Sequence, residues 1–238
     1  MCGRFTLTIP DHESLALALG VDPDPLSAEL YRPRYNVAPT DAHWILRVKE
    51  GRRELLPAKW GLVNSWAKDA AGAARQINAR VETARSRPAF RGAFEHRRCI
   101  VPADGFLEWV GEKKARRPIW YHPAEGLMHL AGLYESWRDP RSGTWQRTFS
   151  IVTTPANDLV KPVHDRMPAI LMPDDLEAWL APIEDGDTEA LVALQRRLRP
   201  APVDALVATA VSPRVNSVKN DDADCLVPEP GALPLFAK

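Results

Sequence analysis

The feature that most restricts the fold of this chain is a row of short apolar runs in its middle part, separated by tight turns. These runs are rich in aromatic and β-branched side chains, the residue types that favour β-strands. They are RCIVPADGFLEWV (98–110), PIWYH (118–122), LMHLAGLYESW (127–137) and QRTFSIVTT (146–154). Strands that are joined by short turns pair in antiparallel fashion, so the pattern favours an antiparallel sheet over a doubly wound parallel one.

Helical patterns flank this strand-rich part on both sides. Helix spacing with an acidic first turn occurs in DHESLALAL (11–19), DDLEAWLA (174–181) and TEALVALQRRLR (188–199). The stretch 43–63 predicts a hairpin that turns near Glu50-Gly51. We therefore predict an α+β fold with a mainly antiparallel β core, sandwich-like or barrel-like, and peripheral helices. We expect a single domain over 1–238, with an irregular tail at 226–238.

Cysteine content and apolar patterning limit the class of protein. The three cysteines, Cys2, Cys99 and Cys225, show no CxxC spacing, which argues against a disulfide framework and against a zinc site. We expect no metal and no cofactor. No apolar run reaches 18 residues, and the start of the chain does not have the pattern of a signal peptide. These features predict a cytoplasmic protein without a membrane anchor.

The charge of the chain is balanced in total but unevenly placed. There are 31 basic and 31 acidic residues, yet seven arginines fall within 75–98 against only two glutamates there. A local basic face can bind a polyanion even when the net charge is zero. The alternative interpretation is the solvated face of a helix, which needs no partner.

The N-terminal MCGRF places Cys2 directly after the initiator methionine. Cysteine is small enough for an aminopeptidase to remove the methionine before it. Cys2 would then carry an α-amine with a pKa near 8 beside a thiol with a pKa near 8.5, and both groups are nucleophiles. An ordinary buried thiol is the alternative interpretation of Cys2.

Several polar stretches occur at strand ends or turns, where functional sites are commonly built. They are YNVAPT (35–40), WGLVNSW (60–66), INARVET (77–83), CIVPADGFLEW (99–109) and VHDRMPAIL (163–171). Glu108 stands between Leu107 and Trp109 in an apolar strand, so desolvation is expected to raise its pKa. The alternatives are a solvent-facing position for Glu108 and an ordinary core position for His164.

Taken together and in this order, these stretches resemble the SOS response-associated peptidase (SRAP) family, whose members process abasic sites in DNA. The similarity runs from MCGRF through INARVET and RRCIVPADGFLEW to HDRMP, and covers about residues 2–172. The resemblance implies a single SRAP-type domain. It also implies that the chain recognises an abasic site in single-stranded DNA and links to it covalently through the N-terminal cysteine. The expected location becomes the cytoplasm, with association to the nucleoid when DNA is bound.

The resemblance also implies the residues of the site. Cys2 is the expected nucleophile, with Asn78, Glu108 and His164 as its catalytic companions. The residues expected to contact or shape the path of the DNA are Arg4, Arg80, Trp66, Asn36, Pro39, Phe106 and Thr153. An α-amine and a thiol on one residue can close a five-membered thiazolidine ring on the sugar aldehyde, and the tethering of the two groups favours closure. A cysteine inside the chain has no such amine.

Two other functions use the same features. An N-terminal-nucleophile amidohydrolase or cysteine peptidase would use Cys2 and His164 on an amide. In a non-catalytic module that binds single-stranded DNA, Cys2 would have no functional role. Within the favoured function, strand cleavage by β-elimination (lyase activity) and removal of Met1 by self-cleavage are accompanying activities that the sequence leaves open.

Overall fold

The structure, a computed structural model, describes residues 2–112 and 115–229 and contains two β-sheets with helices at their periphery. The strands are β1 (Phe5–Leu7), β2 (Arg34–Val37), β3 (Ala42–Lys49), β4 (Arg52–Trp60), β5 (Asn78–Arg80), β6 (Arg98–Ala103), β7 (Gly105–Val110), β8 (Arg117–His122), β9 (Met128–Arg138), β10 (Trp145–Pro155), β11 (Arg166–Pro168), β12 (Ile170–Leu171) and β13 (Val207–Ala210). The helices are α1 (His12–Leu19), α2 (Pro25–Leu30), α3 (Val81–Ala84), α4 (Arg91–His96), α5 (Pro173–Leu180) and α6 (Thr188–Arg197). Short 3-10 turns include Pro213–Asn216 and Ala223–Leu226.

The smaller sheet has the strand order β13-β8-β7-β1-β2. The N-terminal strand β1 is therefore an interior strand, which pairs antiparallel with the edge strand β2 on one side and with β7 on the other. It is only three residues long, because the chain leaves the sheet again before α1. This arrangement places the first residues of the chain beside the strand that carries Glu108.

The larger sheet closes on itself. Five of its eight strands, β4, β3, β6, β9 and β10, follow one another by antiparallel pairing, and β10 then pairs with β4 in parallel to complete a small barrel. Strand β10 is 11 residues long and changes partner along its length. Beyond the barrel it pairs with β5 on one edge and with β11 on the other. The ends of β5 and β11 thus meet at the same end of the barrel, and they carry Asn78 and the segment next to His164.

The predicted fold class is confirmed, since the structure combines mainly antiparallel sheets, one of them barrel-like, with peripheral helices. The hairpin predicted in 43–63 is confirmed as β3 and β4. It turns at Glu50 and Gly51, whose φ angles of 51° and 75° are those of the mirror-image turns that match strand twist. The three predicted helices are present as α1, α5 and α6.

Two predictions about the chain path were incomplete. The stretch 98–110 forms two strands as expected, but they do not pair with each other, because β6 belongs to the larger sheet and β7 to the smaller one. The chain changes sheets at Asp104. Of the predicted irregular tail, Leu226 ends the 3-10 turn Ala223–Leu226, and Pro228 forms an isolated bridge with Val211. Residues 230–238 lie outside the described part of the chain.

The core consists of two main apolar clusters. One lies between the barrel and the helices, around Trp44, Phe94 and Trp179. The other lies between the two sheets and contains Cys2 together with Phe5 and its neighbours. The N-terminal cysteine is therefore packed as part of the core on one side. In the described residues no helix is long and apolar enough to cross a membrane.

Candidate active site

Cys2 is fully buried and directly precedes Gly3 and Arg4, which line the candidate site. Its Sγ lies 3.7 Å from the backbone carbonyl of Arg4, and its own carbonyl accepts a hydrogen bond of 2.8 Å from Nδ2 of Asn78. Burial, followed by the negative charge of Glu108, raises the pKa of the Cys2 thiol above its ordinary value. The thiol is consequently neutral at pH 7 and needs a base before it can react.

Glu108 faces into the region between the two sheets from the middle of β7. Its side chain is buried, and β7 itself is an interior strand that pairs with β1 and with β8. Burial raises the pKa of Glu108 to about 7. A carboxyl group with this pKa can accept and return a proton near neutral pH, which is the property of a general acid–base catalyst.

His164 follows the turn that leads into β11 and is partly buried. Its Nδ1 accepts a hydrogen bond of 2.9 Å from the backbone N–H of Arg166, so the neutral imidazole carries its proton on Nε2. Nδ1 also lies 3.1 Å from the carboxylate of Asp165. Burial lowers the pKa of His164, so the ring is mainly neutral at pH 7. It is then a hydrogen-bond donor through Nε2–H.

A cleft of about 840 Å³ opens above these groups. It is lined by Gly3, Arg4, Glu108, Trp109, Val110, Gly111, Arg116, Pro162, Val163, His164 and Asn216. Glu108 and His164, which are 56 residues apart in the chain, thus face one cavity. A volume of this size holds a ligand of several connected rings rather than a single sugar.

The structure brings together the four residues that sequence analysis named as catalytic. Asn78 touches the backbone of Cys2, the charge of Glu108 acts on the thiol, and His164 shares the cleft with Glu108. The described residues contain no group of three His, Cys, Asp or Glu side chains arranged to hold a metal ion. The site combines a thiol with a carboxyl group and an imidazole, which are groups that can act as a nucleophile and as proton carriers.

Of the residues expected along a DNA path, three present surface to solvent and one lines the cleft. Arg80 is exposed at the end of β5, Trp66 is 71% exposed, and Pro39 is partly exposed. Arg4 lines the cleft, but one of its nitrogens already donates to Asn36 Oδ1 at 2.6 Å. The Arg4 guanidinium also lies 5.5 Å from the centre of the Trp109 ring.

The other three residues expected to contact or shape the DNA path are fully buried, so their side chains present no surface to solvent. Asn36 donates through Nδ2 to the carbonyls of Val215, Ser217 and Asn220 and so holds the C-terminal segment against β2. Phe106 stacks on Tyr121 at 5.1 Å between ring centres. The Thr153 side chain is likewise inaccessible. In this conformation the three residues support the walls of the site from behind.

Sequence analysis missed the contribution of the C-terminal segment to the cleft. Asn216 lines the cleft and accepts a hydrogen bond of 2.7 Å from Nε1 of Trp109, and the carbonyl of Val215 accepts from Arg4 at 3.1 Å. No motif marks these residues in the sequence. The burial of Asn36, whose amide needs partners from elsewhere in the chain, indicates this contribution only once the structure is known.

Comparison with known proteins extends the matched region. A family model described as SOS response associated peptidase (SRAP) matches residues 1–218, which is more of the chain than the 2–172 expected from motifs. The chain is 36% identical over 228 residues to the abasic site processing protein YoqW of Bacillus subtilis (strain 168), covering 95% of this chain and 99% of that protein. It is 33% identical to the abasic site processing protein HMCES of Gallus gallus, covering 87% of this chain and 69% of that protein.

The fold is shared with solved structures. A protein from Bacteroides thetaiotaomicron superimposes with a TM-score of 0.82 at 26% sequence identity, covering 94% of this chain and 98% of that one. The similarity therefore includes the C-terminal segment that closes the cleft, and not only the motif-bearing part of the chain.

Proposed function

Because the chain belongs to the SOS response associated peptidase family, we propose that it processes abasic sites in DNA by linking Cys2 covalently to the damaged sugar. The proposed substrate is single-stranded DNA that contains an abasic site. The proposed product is a thiazolidine crosslink, which shields the site while DNA damage is dealt with during replication.

One observation carries the proposal. Cys2, which becomes the N-terminus on removal of Met1, directly precedes Gly3 and Arg4 in the lining of the cleft. It is held by Asn78 through its backbone and lies near a carboxyl group with a pKa of about 7. A cysteine that served only to fill the core would need neither of these neighbours. The position suits a nucleophile that must meet a ligand in the cleft.

The proposed reaction needs no co-reactant. The Cys2 α-amine adds to the aldehyde of the ring-opened sugar, and the resulting carbinolamine loses water to give an imine. The thiol sulfur then bonds to the imine carbon while its proton passes to the nitrogen. The balance is amine plus thiol plus aldehyde giving thiazolidine plus one water.

Glu108 is proposed to move the protons of the nucleophile. Its own negative charge and the burial of the site keep the thiol protonated, so the thiol reacts when a neighbouring carboxylate accepts its proton. At a pKa of about 7 the carboxyl group is available in both forms at neutral pH. Earlier in the reaction its protonated form can supply a proton to the departing water, and after thiol addition it can pass the thiol proton to the nitrogen.

His164 and Asn78 have different proposed parts. The Nε2–H of neutral His164 donates to the sugar ring oxygen and so assists ring opening, since Nδ1 is occupied by the Arg166 N–H. Asn78 fixes the backbone of Cys2 and thereby orients its amine and thiol. Neither of these two interactions requires a change of charge.

The proposed DNA path uses the accessible residues of the predicted set. Arg80 and Arg4 are placed near phosphates, because guanidinium groups stay charged and bind phosphate in bidentate fashion. The exposed indole of Trp66 offers a stacking face to an unpaired base, and Pro39 borders the path. Asn36, Phe106 and Thr153 act behind this surface by keeping its strands in place. Preference for single strands follows if aromatic groups occupy the space of a complementary strand.

The test is an intact-mass measurement of the protein alone and after mixing with an abasic single strand. We expect loss of Met1, and a new species with the mass of protein plus strand less one water. Cys2→Ala should give no stable adduct, although its α-amine should still be trapped on the strand by borohydride. Cys225→Ala is the matched control, because it removes another buried thiol and should crosslink like the parent. A stable, unreduced adduct of Cys2→Ala would refute the thiazolidine.

The same measurement separates the alternatives. An N-terminal-nucleophile peptidase would release a cleaved peptide and leave the abasic strand unmodified. A non-catalytic binding module would bind intact and abasic strands equally and form no adduct. Lyase activity would appear as a shortened strand that forms from the imine by β-elimination, before or instead of the ring closure.

A further inference from the structure

The catalytic cysteine stands at a chain end, and chain ends are poorly ordered unless other groups hold them. Only Gly3 and Arg4 separate Cys2 from β1, a strand of three residues whose register with β2 is irregular between Phe5 and Leu7. A catalytic group must be held within about 0.5 Å of its productive place. The short β1 ladder needs additional support to meet this requirement.

Asp104 supplies that support at the point where the chain passes from β6 to β7. Its backbone N–H donates to the carbonyl of Thr6 at 2.9 Å, and Oδ1 accepts from the Thr6 hydroxyl at 2.5 Å. Its Oδ2 accepts from the backbone N–H of Thr8 at 2.5 Å and from the Thr8 hydroxyl at 2.6 Å. We refer to Asp104, Thr6 and Thr8 as the Asp104 clamp. The clamp holds β1 on both sides of Leu7.

The neighbourhood of the clamp leaves little freedom to shift. Nε1 of Trp120 donates to the Thr6 hydroxyl at 3.1 Å. Trp120 also lies directly against Gly105, where an added Cβ would fall 1.8 Å from the same nitrogen. Nearer the N-terminus, the N–H of Leu107 donates to the Arg4 carbonyl at 3.0 Å. The strand β1 is thus attached to β7 at both of its ends.

The strand to which β1 is clamped is the one that carries Glu108, four residues after Asp104. A slip of β1 by one residue would move Cys2 along the strand by about 3.3 Å and turn its side chain to the other face. We propose that Asp104 is a positioning residue, which sets the register between the strand that leads to Cys2 and the strand that carries Glu108. This inference rests on the proposed function only for its consequence on crosslinking.

The proposal predicts that substitution of Asp104 slows the chemical step of crosslinking and changes the affinity for DNA little. In Asp104→Asn the amide nitrogen cannot accept from Thr8, so one side of the clamp is lost while the size of the side chain is kept. A displacement of about 1 Å can reduce a rate by about 100-fold. We expect the crosslinking rate at saturating abasic DNA to fall by about 10- to 100-fold, and the half-saturating DNA concentration to change by less than about twofold.

A second variant and a matched control keep the result interpretable. Thr8→Val removes the hydroxyl that donates to Asp104. It should also lower the crosslinking rate, with less effect on folding than Asp104→Asn. When Thr8→Val is added to Asp104→Asn, it should slow crosslinking little further, because the effects of substitutions at two residues that share one interaction are not additive. Asp175→Asn is the control, since it breaks another buried carboxylate interaction, with Arg197 at 2.8 Å, between α5 and α6. It should lower the melting temperature and leave the saturated rate unchanged.

Alkylation of Cys2 tests the clamp without any DNA. Cys2, Cys99 and Cys225 are all buried, so iodoacetamide should label the parent slowly at each of them. Peptide mass mapping of Asp104→Asn should show faster labelling at Cys2 and unchanged labelling at Cys99 and Cys225. If the parent forms no DNA adduct, the proposed function fails while this readout still tests the clamp. Unchanged Cys2 labelling in well-folded Asp104→Asn, or equal rate losses in Asp104→Asn and Asp175→Asn, would overturn the positioning role.

Discussion

The side-chain amide of Asn78 donates a hydrogen bond of 2.8 Å to the backbone carbonyl of Cys2, across 76 residues of sequence. Asn78 reaches this position because β5 pairs in parallel with β10, with Asn78 in register with Ile151. The bond acts on the backbone of Cys2 and leaves both of its proposed nucleophiles unoccupied by Asn78. The hydrogen bond thus links the barrel to Cys2.

This link predicts a rate defect in Asn78→Ala. Loss of the donor lets the Cys2 backbone move, so crosslinking at saturating DNA should slow by about 10- to 100-fold while DNA affinity stays near the parental value. Asn64→Ala is the matched control, because it breaks a similar amide-to-carbonyl bond, to Ala89 at 2.7 Å, elsewhere in the fold. Single-turnover kinetics provide the measurement, and parental rates in Asn78→Ala would remove Asn78 from the site.

Glu108→Gln should change how stability depends on pH. The pKa of Glu108 is raised by burial from 4.5 to about 7, so the folded state binds this proton more tightly than the unfolded state. The parent therefore loses stability as the pH rises between these values, by at most about 3 kcal/mol at about 1.4 kcal/mol per pKa unit. Glu108→Gln cannot ionise, and its stability relative to the parent should increase over that range.

Thermal melts of both proteins between pH 4.5 and 8.5 check this expectation, with the exposed Glu125→Gln as control. The same Glu108→Gln variant should form adduct about 10²–10⁴-fold more slowly, since the thiol loses its proton acceptor. A stability difference that does not vary with pH would contradict the raised pKa. A parental crosslinking rate would contradict the role in proton transfer.

A substrate whose sugar is already open should partly restore the crosslinking rate of His164→Ala. The Nε2–H of His164 is proposed to assist opening of the sugar ring, so the variant should crosslink an ordinary abasic strand about 10²–10⁴-fold more slowly. A strand that carries a permanently open aldehyde should restore much of this loss in His164→Ala and little of it in Glu108→Gln. Equal losses on both substrates would place His164 in a later step.

Arg80→Ala and Arg4→Ala should both weaken DNA binding, with different effects on stability. Each removes about one phosphate contact, so the slope of log affinity against log salt should flatten by about one unit. Arg4→Ala should also lower the melting temperature, because Arg4 bonds Asn36 and Val215, whereas exposed Arg80 should not. Arg141→Ala, on the turn between β9 and β10, is the exposed control for the binding assay. Unchanged affinity of both variants at low salt would refute the phosphate contacts.

Trp66→Ala should reduce binding to single strands by about 1–3 kcal/mol if a base stacks on the indole. Trp66 is 71% exposed, so its removal should leave the melting temperature nearly unchanged, unlike the loss of a core tryptophan. Trp145, which is 67% exposed at the start of β10, provides a control of the same residue type. Equal losses in Trp66→Ala and Trp145→Ala would indicate a general effect of exposed indoles rather than a specific path.

The local elements of this fold were predictable because their signals lie within a few residues. The Glu50-Gly51 turn, the acidic starts of α5 and α6 and the aromatic runs of β8 to β10 each depend on short-range spacing and residue type. The order of the motifs also indicated Cys2, Asn78, Glu108 and His164 as one set. The raised pKa of Glu108 was predictable from a carboxyl group placed between apolar neighbours in a strand.

Only the tertiary structure decided how these elements meet. The separation of β6 and β7 into different sheets and the burial of Asn36 depend on pairings between distant parts of the chain. So does the return of Asn216 to the cleft, more than 100 residues after Trp109. Sequence periodicity reports which face of an element is apolar, but not which other element covers that face. The four residues proposed as catalytic were therefore named from the sequence, whereas the distances between them and the place of Asn216 in the cleft followed from the packing of the whole chain.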